Sequence, residues 1–122
     1  MARLLIVEDE ELLLSAMEII LTDAGHQVRA VNSAFAALDA IEVEQPDLII
    51  SDVMMPRMSG LQLLAATRIQ YDEYNPPFLF VTANTTPDLK REFDRLDKVA
   101  FLYKPFNTSE LSKAVNDALQ TL

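Results

Sequence analysis

Three carboxylates, one hydroxyl and one ammonium stand at comparable places in this sequence, each directly behind a short apolar run. Glu8 and Asp9 follow Leu4-Leu5-Ile6-Val7, and Asp52 follows Leu48-Ile49-Ile50-Ser51. Thr82 follows Phe78-Leu79-Phe80-Val81, and Lys104 follows the run from Val99 to Tyr103. Each has an ordinary reading alone. An acid behind a strand often caps a helix, Thr is common in strands, and a Lys before Pro is usually a solvated loop residue. Together they suit a sharper chemistry. Carboxylates a few ångströms apart repel one another and need a cation or raised pKa values to be tolerated. Oxygen ligands without His or Cys suit a hard ion, and Mg²⁺ favours one or two carboxylates together with waters and phosphate oxygens. The set therefore points to phosphoryl transfer onto a carboxylate. Asp52 would be the nucleophile, and Asp9, with Glu8 as partner, would hold the metal. Thr82 would donate to a phosphoryl oxygen and Lys104 would pair with another.

Those residues can meet only if the apolar runs lie side by side. The five runs are apolar throughout rather than alternating, the pattern of strands buried on both faces of a parallel sheet, with Val28 to Val31 the weakest. Helical stretches lie between them. Leu13, Met17, Ile20 and Ala24 share one helical face, and Leu111, Val115, Ala118 and Leu122 repeat that spacing. Gly25 stands at a helix C-terminus. Ser59 with Gln62 and Asn107 with Glu110 read as capping boxes, and Thr86-Pro87 as N-cap and first helical residue. Ser33 would cap a helix through Phe35, Leu38 and Ile41. The order is strand–helix five times over, an α/β fold with right-handed crossovers. In such a sheet ligands bind outside the carboxyl ends of the strands, where the five chemical residues fall.

A length of 122 residues suits one domain, here taken as residues 1–122. Cysteine is absent, which removes disulfides, thiolate metal sites and a cysteine nucleophile. The formal net charge of −9 argues against direct nucleic-acid binding. No apolar run approaches the ~20 residues that cross a bilayer. The N-terminus lacks the look of a signal peptide, so the expected location is cytoplasmic, with no membrane partner. The single His, His26, reads as an exposed turn residue. Lys90, Arg91, Arg95 and Lys98 cluster, as a solvated helix face or as a docking patch for an acidic partner.

At this point the chain resembles the receiver (CheY-like) domains of two-component response regulators, over essentially its whole length. The motifs are Leu5-Ile6-Val7-Glu8-Asp9-Glu10, Asp52-Val53-Met54-Met55-Pro56 with Gly60, Val81-Thr82-Ala83, and Lys104-Pro105-Phe106. The resemblance implies a flavodoxin-like (βα)5 doubly wound sheet with strand order 2-1-3-4-5. It implies Asp52 as phosphoacceptor and Glu8, Asp9, Asp52 and the Met54 backbone carbonyl as the Mg²⁺ site, with Mn²⁺ able to substitute. Thr82 and Lys104 would sense the phosphoryl group, and Lys104-Pro105 would be cis. Thr82 and Phe101 would form a switch that alters the surface of the fourth helix, fifth strand and fifth helix, although Phe101 also reads simply as a core aromatic. The implied partners are a sensor histidine kinase or histidine phosphotransfer protein as donor and a downstream effector. The protein is expected to be a monomer, with dimerisation on phosphorylation left open.

Some features depart from that pattern. The segment Leu96 to Ala100 lacks the glycine-bearing turn common before the fifth strand. Tyr103 is bulkier than usual, and the aromatic, proline-bearing loop Tyr71 to Pro77 has no assigned role. Met54 and Asn84 occupy positions that tune dephosphorylation, and Met54 brings no polar group to orient water, so a long-lived phosphoryl-aspartate is expected. Two competing functions remain. A Mg²⁺-dependent phosphohydrolase with an aspartyl nucleophile would need a second acid two residues on, where Met54 stands. A pure interaction module would leave the chemical residues idle, and all of them are present. The expectation is a signalling module rather than an enzyme.

Overall fold

The computed structural model describes residues 2–71, 73–83 and 86–121. Strands and helices alternate as expected: β1 (Arg3–Val7), α1 (Glu11–Asp23), β2 (Gln27–Val31), α2 (Ala34–Val43), β3 (Leu48–Asp52), α3 (Gly60–Gln70), β4 (Phe78–Thr82), α4 (Pro87–Asp94), β5 (Val99–Tyr103) and α5 (Thr108–Thr121). The strands form one parallel sheet in the order β2-β1-β3-β4-β5. This is the flavodoxin-like arrangement of the doubly wound class.

Period two along each strand divides the apolar runs between the two faces. Leu5, Val7, Ile49, Phe78 and Phe80 pack with Ala37, Ile41, Leu63 and Leu64 under α2 and α3. Leu4, Ile6, Leu48, Ile50, Leu79 and Val81 pack with Met17, Leu21, Leu111 and Val115 under α1 and α5. Burial of each such side chain contributes about 1.5–3 kcal/mol. The three inner strands carry this pattern fully. β2 and β5 are the sheet edges, and none of their residues is fully buried, a difference from the two-sided burial expected of all five runs.

The helix ends follow their local chemistry. Ser59 and Gln62 form a reciprocal capping box, and so do Asn107 and Glu110. Ser33 accepts from Ala36 N–H, and Thr86 Oγ1 accepts from Leu89 N–H ahead of Pro87. α1 ends at Ala24. Gly25 follows at φ 98°, with Gly25 N–H donating to Thr22 O and His26 N–H to Leu21 O. Those two bonds define a Schellman motif, whose left-handed residue favours glycine.

On α2, Ala34, Ala37, Ala40 and Ile41 face inward and Phe35 is 50% exposed. Two expectations need correction. Ala24 is exposed at the end of α1, where Leu21 takes the inward place. His26 is half-buried rather than exposed, because its Nδ1 accepts from Ala2 N–H at 3.2 Å. Asn84 and Leu122 lie outside the described residues. Among the described residues no helix is long and apolar enough to cross a membrane.

Candidate functional site

Register decides which chemical residues meet. β1 and β3 are neighbours, with Val7 opposite Ser51, so the next residue, Glu8, comes level with Asp52. Alternation continues Leu4 and Ile6 into Glu8, and Leu48 and Ile50 into Asp52, which starts both carboxylates on one face. β4 and β5 add Thr82 opposite Tyr103, and Lys104 N–H donates to Thr82 O at 2.8 Å. Lys104-Pro105 is cis.

Glu8, Asp9 and Asp52 each offer a carboxylate oxygen within 4.8 Å of the others. Glu8 and Asp52 are buried, and Asp9 is exposed. Lys104 Nζ reaches across the sheet to Glu8 Oε1 at 2.9 Å and to Asp52 Oδ2 at 3.2 Å. The other Glu8 oxygen accepts from Glu10 N–H, and Asp52 Oδ1 accepts from Met54 N–H at 3.3 Å. Burial pushes the Glu8 carboxyl above its ordinary value. The hydrogen bonds from Lys104 and Glu10 oppose that shift, and the nearby Asp52 charge adds to it. Burial alone would lower the Lys104 pKa, but its bonds to Glu8 and Asp52 outweigh this and hold its proton above the usual range. Three carboxyl groups thus share one ammonium, which touches two of them.

The main chain around Asp52 is held tightly. Ser51 is fully buried, and its hydroxyl donates to Asp52 O at 2.9 Å. Gly60, the first residue of α3, lies against the same carbonyl. A Cβ there would stand 2.2 Å from Asp52 O and 2.9 Å from Phe80 Cε1, and Gly60 N–H donates to Val53 O. Between them the β3–α3 loop makes a tight turn, with Met58 N–H donating to Pro56 O around Arg57 at φ 71°. Sequence reasoning quoted Gly60 only as a motif member and did not single out Ser51. The available signal was a lone hydroxyl in an otherwise apolar buried strand.

The remaining candidates divide. Thr82 is buried at the end of β4. Phe101, opposite Phe80, is half-buried with its ring 5.1 Å from that of Tyr103. The basic residues do not share one helix face. Lys90 and Arg91 are on α4, with Arg91 paired to Asp88, whereas Lys98 turns the chain into β5 at φ 57° and reaches Asn75 O. A lysine thus adopts the left-handed conformation at the turn that lacks glycine. In the loop before β4, Tyr74 hydroxyl donates to Pro46 O at 2.5 Å, tying that loop to the one before β3.

The comparisons agree with this architecture. A family model described as the response regulator receiver domain matches residues 4–116. The chain is 40% identical over 110 residues to response regulator protein FleR of Pseudomonas aeruginosa, covering 90% of this chain and 23% of that protein. It is 34% identical over 116 residues to sensor histidine kinase GacS of Pseudomonas protegens, covering 93% of this chain and 13% of that protein. The structure of the chemotaxis protein CheY4 of Vibrio cholerae superposes with a TM-score of 0.89 at 33% identity, over 97% of this chain and 98% of that one. Parallel order, strand-end acids and family match together place the chain in the response regulator receiver domain family, the signalling modules of two-component systems. It spans less than a quarter of the length of the two curated relatives above.

Proposed function

We propose that residues 1–122 form one phosphoacceptor module in which Asp52 receives a phosphoryl group from a phosphohistidine on a sensor histidine kinase or a histidine phosphotransfer protein. One observation carries this reading. Glu8, Asp9 and Asp52 converge within 4.8 Å at the carboxyl edge of the sheet, beneath a Lys104 ammonium shared by Glu8 and Asp52. In the transfer an Asp52 oxygen bonds to phosphorus as the P–N bond to the donor imidazole breaks.

The donor set, all oxygen and mostly carboxylate, fits a hard divalent cation. Glu8, Asp9, Asp52 and the Met54 backbone carbonyl would hold Mg²⁺, with Mn²⁺ as a substitute. Bound there, the ion would neutralise charge on the transferring group. Lys104 supplies a second, fixed positive charge and pairs with a phosphoryl oxygen after transfer. Thr82 donates its hydroxyl to another, and Phe101 then turns inward, altering the surface of α4, β5 and α5 that an effector reads. The burial of Thr82 at its strand end and the half-buried ring of Phe101 support this switch. The protein is the acceptor rather than a turnover catalyst, and Met54 stands where a phosphohydrolase would need its second acid. We place it in the cytoplasm as a monomer in the unphosphorylated state, acting through protein partners rather than nucleic acid or membrane.

The test is intact mass after incubation with acetyl phosphate, with and without Mg²⁺, for wild type and Asp52→Asn. A Mg²⁺-dependent gain of one phosphoryl group that Asp52→Asn lacks is the expected result. A gain that survives in Asp52→Asn would overturn the assignment.

A further inference from the structure

We propose that a cavity between β1, β2 and α2, at the amino edge of the sheet, is a second binding site that takes a small monoaromatic carboxylate. The cavity measures about 140 Å³, and its walls include Arg3, Leu5, Arg29, Ala40, Glu44 and Pro46. An apolar cavity of about 150 Å³ is large enough to hold a benzene ring. Register explains which residues meet here. Arg3 and Leu5 alternate onto the α2 side of β1, and Arg29 stands opposite Leu5 on β2. Ala40 of α2 comes to the same place and contributes only a methyl group. Leu5, Ala40 and Pro46 are buried and supply apolar surface, whereas Arg3, Arg29 and Glu44 are exposed and supply charge.

Those charges suit an incoming anion. Arg3 Nε lies 3.9 Å from Glu44 Oε1 with both side chains more than half exposed, so water screens the pair and it contributes little. Among the described residues the Arg29 side chain has no hydrogen-bond or ion-pair partner. Asp47 engages the Arg3 main chain, its Oδ2 accepting from Arg3 N–H at 2.8 Å, rather than the guanidinium. Two guanidiniums are thus matched by one loosely held carboxylate. A guanidinium binds a carboxylate through two parallel N–H···O bonds. An aromatic acid satisfies both parts of the cavity, with its ring on the apolar residues and its carboxylate at the arginines. A bare anion leaves the apolar part uncovered, and an uncharged ring leaves Arg29 unmatched. Arg3 opens β1 and Glu8 follows its last residue, so the cavity stands at the other end of the strand, roughly 16 Å from the acid cluster.

The experiment titrates the whole chain with benzoate and follows its backbone amide signals by NMR. Benzamide and inorganic phosphate serve as probes of the ring alone and the charge alone. Benzoate should shift the signals of Leu5, Arg29, Ala40 and Glu44 saturably, with a dissociation constant of about 1 mM, and leave those of Glu8 and Asp52 in place. Benzamide and phosphate should each bind about tenfold more weakly than benzoate. Arg29→Gln removes an unpartnered charge from an exposed position, so it should keep the wild-type melting temperature and bind benzoate about tenfold more weakly. Benzamide or phosphate binding as tightly as benzoate, Arg29→Gln binding benzoate as tightly as wild type, or no saturable shift at these four residues up to about 10 mM benzoate would overturn the proposal.

Discussion

Replacing Gly60 by alanine is expected to destabilise the protein, although alanine is the better helix former. The added Cβ would meet Asp52 O at 2.2 Å and Phe80 Cε1 at 2.9 Å. Neither neighbour can retreat easily. Asp52 ends a fully buried central strand and its carbonyl accepts the Ser51 hydroxyl, while Phe80 is itself completely buried. The N-terminus of α3 must therefore move outward by about an ångström, stretching the Gly60 N–H bond to Val53 O. Overpacking of this kind costs about 1–3 kcal/mol. The helix-propensity gain of about 0.8–1 kcal/mol applies to helix interiors, so at the first residue of α3 it offsets only part of that. Urea unfolding should show a lower midpoint at an unchanged slope, and the melting temperature should fall by roughly 4 °C per kcal/mol. Gly25→Asn is the control. Gly25 has no neighbour within 4 Å of a Cβ, and its φ of 98° is a conformation Asn tolerates better than most residues. An unchanged or higher midpoint for Gly60→Ala would refute the steric reasoning.

Three further outcomes follow from particular contacts. Lys98 holds φ 57° at the turn into β5, so Lys98→Gly should be neutral or stabilising and Lys98→Val destabilising by about 1–2 kcal/mol; denaturation midpoints in which Val is tolerated as well as Gly would contradict this. Burial, together with the positive N-terminus, lowers the His26 pKa from its ordinary 6.5. The unfolded chain then binds more protons than the folded one as pH drops, so this contribution is complete above 6.5 and is lost as pH falls through that value. Stability measured from about pH 7.5 to about pH 5.5 should fall more steeply for wild type than for His26→Gln, and parallel curves would count against it. Lys104→Ala leaves buried Glu8 and Asp52 without their ammonium, so in chelator it should lose stability by about 1–3 kcal/mol. Adding Mg²⁺ should raise its melting temperature more than it raises that of wild type, and equal shifts would argue against a shared cation site.

Much of this molecule was legible in the sequence because the determining interactions are local. Caps at Ser33, Ser59, Thr86 and Asn107 depend on residues three apart, and the buried strands declare themselves as continuous apolar runs. The strand-end positions of Glu8, Asp52, Thr82 and Lys104 follow from the same runs, since each stands directly behind one. The strand order came from family motifs rather than from any physical reading of the residues.

Tertiary structure decided what depends on distant neighbours. The packed inward face of α2 is Ala34, Ala37, Ala40 and Ile41, which leaves Phe35 on the exposed side. The incomplete burial of β2 and β5 followed from their places at the sheet edges. His26 became half-buried through a bond to Ala2, and Tyr74 gained its role through a bond to Pro46, contacts 24 and 28 residues apart in sequence. Within the site, sequence supplied the three acids and the lysine, but only the packed sheet set Lys104 between Glu8 and Asp52, residues separated from it by 96 and 52 positions. The physical reason is common to all of these. A cap or a period is satisfied within one element, whereas a shared ammonium, a fitted glycine or a buried ring exists only after separate elements close on one another.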